Sequence, residues 1–236
     1  MLFLCMLAAT FAGAQEQLYH VTLTRATPGE LLSLIDLIKE DITNHDQLGI
    51  AKPTLMRHSQ GDQWDLMLIY PIESMEAHFS AETQTQIATS NTLAKRYGDD
   101  VLEKIAWQEE AVVAGPDTDD FQSWMTAYSY YHIEIFTSLA GKQDELLKER
   151  EMENVYLEEL NRRPNFIFTK VFGPSWDIFT IGCYTDIKDY ASSADIPIED
   201  EDAAAKKAGF EGVNYIGSYL RELIAAHHDT LAGAVR

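Results

Sequence analysis

Two strand-like segments of this 236-residue chain place a histidine at matched positions, and the second adds a carboxylate two residues on. Tyr19-His20-Val21-Thr22-Leu23 answers to Tyr131-His132-Ile133-Glu134-Ile135. Alternate side chains of a strand point to opposite faces, so His20, Thr22 and Thr24 share one face, and His132, Glu134 and Phe136 share its counterpart. An imidazole titrates near pH 6.5, and a neighbouring carboxylate can orient or charge it, which makes His20, His132 and Glu134 candidates for ligand binding or proton transfer. The plainer role of such histidines is to satisfy backbone groups at strand starts. If Tyr19, Val21, Leu23 and Tyr131, Ile133, Ile135 pack beneath helices, the polar set lines the space between two sheets.

A second group, His227-His228-Asp229, falls in a stretch read as a closing helix from about Gly212 to Leu231. Consecutive helical residues point about 100° apart. Neither imidazole has a ligating partner three or four residues before it, so no metal site is expected. His228 stays a candidate as an imidazole turned inward. Trp64-Asp65 and Trp176-Asp177 read as hairpin anchors, and Glu149, Glu151, Glu153, Glu158 and Glu159 as a solvated helix face. The chain has no glycine-rich phosphate loop, no Gly-x-Ser-x-Gly elbow and no Cys-x-x-Cys pair, which removes the reaction classes built on them.

The elements that must hold these residues are written twice, about 112 residues apart. Each copy reads strand, helix, strand, strand, helix. Leu18 to Thr24 alternates at period two, then Leu31, Leu32, Leu34, Ile35, Leu37 and Ile38 recur at helical spacing. Gly61-Asp62 and Gly173-Pro174 mark hairpins. Glu82 to Val113 reads as mostly helical. The expected organisation is a signal-like segment over 1–14, a first repeat over 18–114, a linker over 115–127 and a second repeat over 128–236.

Composition narrows the classes. A net charge of −20 repels phosphate backbones and anionic lipid, so neither nucleic acid nor a membrane surface is an expected partner. Met1 to Ala14 is apolar and uncharged and ends in Ala12-Gly13-Ala14, the small residues of a signal-peptidase site, so export is expected and membrane insertion after its removal is not. Cys5 would leave with that segment. The remaining Cys183 cannot form an internal disulfide, and its apolar neighbours make it a core residue.

Helices on one face of each sheet leave the other face to be covered by the second sheet. In this the chain resembles the dimeric α/β-barrel superfamily, which implies an α+β fold of two ferredoxin-like repeats closed into an intramolecular barrel. Ile72-Glu73-Ser74-Met75-Glu76-Ala77-His78-Phe79 resembles antibiotic-biosynthesis monooxygenase-type domains, and Gly141-Lys142-Gln143-Asp144-Glu145-Leu146-Leu147 resembles the NIPSNAP-type branch. A haem-degrading branch of the superfamily ligates haem iron through a histidine that would fall on His78, but its strand asparagine and late tryptophan have no match here. The expected cofactor is therefore none, with haem as the exception to test. Three roles follow: an exported protein binding a small, partly apolar ligand between its sheets; a cofactor-free or haem-linked enzyme of monooxygenase or isomerase type; or a module that assembles into homo-oligomers.

Overall fold

The computed structural model describes residues 17–47, 51–90 and 101–235. The signal-like segment and Cys5 lie outside them. The first half runs β1 (Gln17–Ala26), α1 (Leu31–Gln47), β2 (Thr54–Gln60), β3 (Leu66–Ile72), α2 (Met75–His78), α3 (Ala81–Ser90) and β4 (Ile105–Gly115). Helix α4 (Thr118–Ala127) leads into β5 (Tyr130–Ser138), α5 (Gln143–Glu159), β6 (Phe166–Phe172) and β7 (Ile178–Tyr184). Then come α6 (Ile187–Ala191), α7 (Ile198–Ala208), α8 (Val213–Arg221) and β8 (Ile224–Ala234).

The strands close into a barrel in the order β1-β3-β2-β8-β5-β7-β6-β4. Each half is an antiparallel sheet with the same internal order, β4-β1-β3-β2 and β8-β5-β7-β6, and the halves join through β2–β8 and β4–β6. Closure leaves no unpaired edge, which is how an all-antiparallel sheet avoids pairing with other chains. No helix among the described residues is long and apolar enough to cross a membrane.

Two helices expected from the sequence are partly strands. β4 lies in the stretch read as helix to Val113, and β8 in the stretch read as the closing helix. Both pair along their length, Thr22 facing Glu110 and Glu134 facing Asp229. The segment read as a linker is mostly α4. Asp117 caps it by accepting from the amides of Asp119 and Asp120. Phe121 of α4 is wholly buried against Tyr19 and Phe168, so this helix belongs to the core.

The parity of β1 and β5 is as expected, but the faces are exchanged. Tyr19, Val21, Leu23, Tyr131, Ile133 and Ile135 point into the barrel, where they pack with Met67, Ile69, Phe168, Phe179 and Ile181. The space between the sheets is filled by these side chains. The histidine faces point outward, toward the helices. β1 and β5 are largely covered on both sides, and their larger apolar set takes the barrel interior.

Trp64 and Trp176 join this core. Asp65 accepts from Ala26 N at 2.8 Å, and Asp177 accepts from Ser138 N at 2.9 Å, so each pins the end of its half's first strand. Cys183 is buried in the core, and burial pushes its thiol up to about 12. Gly61 and Gly173 turn the two hairpins with φ of +116° and +114°. A Cβ on Gly61 would run into Asp229 O across the joint, and one on Gly173 would meet Glu110 O. Each hairpin therefore presses on the other half's last strand, beneath its outward-facing carboxylate.

Candidate functional sites

Matched outer faces of the two sheets carry different chemistry. In the first half, His20 on β1 meets His78 on α2, with Nδ1 of His20 3.1 Å from Nε2 of His78. Ser74 positions α2 by accepting from Ala77 N at the helix start. Nε2 of His20 is buried without a hydrogen-bond partner among the described residues, and Glu110 Oε2 lies 3.7 Å away. Burial lowers the His20 pKa against the opposing pull of Glu110, and burial together with the charge of His20 lowers that of His78. Both shifts disfavour the charged rings.

Tyr70 and Phe79 flank the His20 ring. Beyond Tyr70 and Thr22, a cleft of about 140 Å³ opens between sheet and α1, lined also by Thr24, Leu34, Ile38, Leu68 and Gln108. The haem expectation can be tested here. The Nε2 of His78 that would face an iron is engaged by His20. In this arrangement His78 turns its Nε2 to His20 and not to an open coordination position.

In the second half the matched positions form a polar cluster. His132 Nε2 lies 3.1 Å from Asp229 Oδ1, and Tyr190 of α6 stands against the ring where His78 stands in the first half. Glu134 is buried; its Oε2 accepts from Thr180 Oγ1 at 3.2 Å and lies 3.7 Å from Arg150 Nη1. His227 Nε2 lies 3.3 Å from Glu134 Oε1 and 3.4 Å from Asp229 Oδ1. The α5 face read as solvated supplies three of the partners. Arg150 is buried over the Phe136 ring, donates twice to Glu149 and pairs with Glu153. Two of the expected solvent-facing glutamates thus point at the sheet.

Four carboxylates around one guanidinium leave this cluster rich in negative charge. Burial pushes Glu153 up to about 7 despite Arg150, with Glu134 and Glu149 adding to the rise. Burial would lower His132, but its bond to Asp229 and the charge of Glu134 raise it above the usual imidazole value. Glu134 is held below the usual carboxylate range, because His227, Arg150 and His132 outweigh its burial.

The structure thus brings His20 together with His78, and His132 with Glu134. His228 belongs to neither group: on β8 it lies opposite Ile135, half-exposed, 3.3 Å from Asp62 of the other half's hairpin. The expectation that His227-His228-Asp229 holds no cluster rests on a helix, which would spread His227 and Asp229 around its axis; the segment is strand β8. On a strand, i and i+2 share a face.

No family model matches the chain, and no curated protein sequence matches it. Solved structures do. An anthrone oxidase-like protein aligns at 12% identity over 94% of this chain and 93% of its own, with a TM-score of 0.61. A provisionally assigned monooxygenase from Fusobacterium nucleatum aligns at 11% identity over 95% and 94%, with a TM-score of 0.55. A chlorite dismutase variant from Candidatus Nitrospira defluvii aligns at 9% identity over 94% and 93%, with a TM-score of 0.53. The chain has the dimeric α/β-barrel fold. At such identities the likeness extends to the architecture and leaves the chemistry to the residues. In this dimeric α/β barrel, the two outer faces are where polar groups converge.

Proposed function

We propose that this barrel protein is an enzyme of the monooxygenase or isomerase type that removes a proton from a small, partly apolar molecule at the first-half cleft. The observation that carries the reading is the His20 imidazole: buried, its charged form disfavoured, its Nε2 without a hydrogen-bond partner among the described residues, and its neighbours Thr22 on β1 and Tyr70 lining an apolar cleft. In the tautomer where Nδ1–H donates to His78, the Nε2 lone pair is a base. Proton uptake creates an imidazolium, and Glu110 at 3.7 Å stabilises that charge. Thr22 and Gln108 offer polar contacts to a substrate whose apolar part lies against Leu34, Ile38 and Leu68. The anthrone oxidase-like and monooxygenase neighbours support a substrate with an acidic C–H or O–H beside an aromatic or carbonyl system.

The test uses small phenols and β-dicarbonyls as probes, following their absorbance and oxygen uptake with wild-type protein, His20→Ala and His78→Ala. Turnover by wild type that falls about 10²–10⁴-fold in His20→Ala supports the reading. Turnover unchanged in His20→Ala removes His20 as the base. If neither turnover nor saturable quenching of tryptophan fluorescence occurs with this panel, the enzyme reading fails.

A further inference from the structure

The second-half cluster carries an inference independent of the proton-transfer reading, because it involves other residues on the other sheet. We propose that His132, His227, Glu134 and Asp229 bind one divalent first-row transition metal ion, of the zinc class.

Three observations point there. The first is spacing. The donor atoms of His132, Glu134 and Asp229 all lie within 4.8 Å of one another. His227 Nε2 adds a fourth, 3.3 Å from Glu134 Oε1 and 3.4 Å from Asp229 Oδ1, and His132 Nε2 is 3.1 Å from that same Asp229 oxygen. Ligands about 2.0–2.2 Å from a metal at tetrahedral or octahedral angles lie roughly 3.0–3.5 Å apart. Direct hydrogen bonding does not account for the set, because His227 Nε2 is buried beside two carboxylates without hydrogen-bond geometry to either.

The second is orientation from outside the donor set. His227 stacks on Phe136, with ring centroids 4.7 Å apart and planes 4° from parallel. His132 is backed by Tyr190. Glu134 has its Oε2 held by Thr180 and Arg150, leaving Oε1 turned toward His227. Metal sites are typically built with ligands fixed in this way by a surrounding layer.

The third is charge. Arg150 is shared among Glu134, Glu149 and Glu153, so these three carboxylates and Asp229 have one guanidinium between them. A dication supplies it. Two imidazoles with two carboxylates favour zinc, iron or cobalt over magnesium and calcium, which take oxygen ligands. Asp229 is exposed, so the ion would be reached from solvent and could keep water in its remaining positions.

The experiment titrates chelator-stripped full-length protein with Zn²⁺ by calorimetry, and with Co²⁺ by visible absorption, in excess Mg²⁺ to mask surface carboxylates. The expected result is one equivalent bound, cobalt d–d bands, and a rise in melting temperature. Asp229→Asn and His227→Ala should each weaken binding at least tenfold, whereas His228→Ala should bind as wild type. Circular dichroism verifies folding; if His227→Ala fails to fold, the exposed Asp229→Asn decides. Absence of saturable binding by wild type overturns the proposal, as does unchanged binding by a folded Asp229→Asn. His20→Ala should leave metal binding intact, so loss of the proton-transfer reading and loss of the metal site are separable.

Discussion

Neighbouring residues on β5 do opposite work, and the difference is measurable. Ile133 is wholly buried in the barrel, so Ile133→Ala should cost about 2–5 kcal/mol in urea unfolding. His132→Ala removes no barrel contact and should cost less than Ile133→Ala; the reverse ranking would mean the faces are assigned wrongly. The imidazole pair of the first half makes a pH prediction. His20 and His78 have folded-state pKa values below the unfolded imidazole value, so protons bind the unfolded chain more readily. Their contribution is fully present above about pH 6.5 and is lost as pH falls below that unfolded value. Urea midpoints measured from pH 8 to 5 should fall less steeply for a His20→Gln/His78→Gln variant than for wild type. Equal slopes would show that the pair is not held neutral by burial. The sequence identified His20, His78, His132 and Glu134 individually, from residue type and strand parity. It did not pair His20 with His78, because nothing local says that α2 folds back over β1.

At the level of elements, the misread segments share a cause. Ile105 to Gly115 and Ile224 to Ala234 are rich in alanine, glutamate and glutamine or histidine, whose intrinsic preference is helical or neutral. Their strand state comes from pairing on both sides, β4 with β1 and β6, β8 with β5 and β2. Such pairing overrides local preference and cannot be seen in a short window. The helix α1, by contrast, was legible because its apolar spacing alone determines which side packs on the sheet. The hairpin glycines give the prediction for this scale. Gly61→Ala forces a non-glycine residue into positive φ and into contact with Asp229 O, so about 1–3 kcal/mol of stability should be lost. The same change should perturb the second-half cluster, visible as a shift in the His227 ring resonances. A stable Gly61→Ala variant with unmoved His227 signals would show that the joint is loose.

For the whole molecule, barrel closure depends on the β2–β8 and β4–β6 joints. Residues 128–236 expressed alone would expose β6 and β8, and two such fragments can close on each other by pairing β6 with β8. Light scattering should therefore find a dimer, and a folded monomer would show that closure is dispensable. The face-to-face sheets were legible in the doubled sequence, since each strand set lacks cover of its own. What the doubling could not convey was divergence. In an assembly of two identical subunits every substitution appears on both sides of the axis, so neither site can change alone. Joining the halves in one chain removes that bond between them. His78 stands opposite Tyr190 in role, Thr22 opposite Glu134, and Gln108 opposite His227. The glycine hairpins meanwhile keep each sheet braced by its twin. This barrel can thus inherit one scaffold twice and specialise each copy, and a substitution on one outer face is free to leave the other untouched.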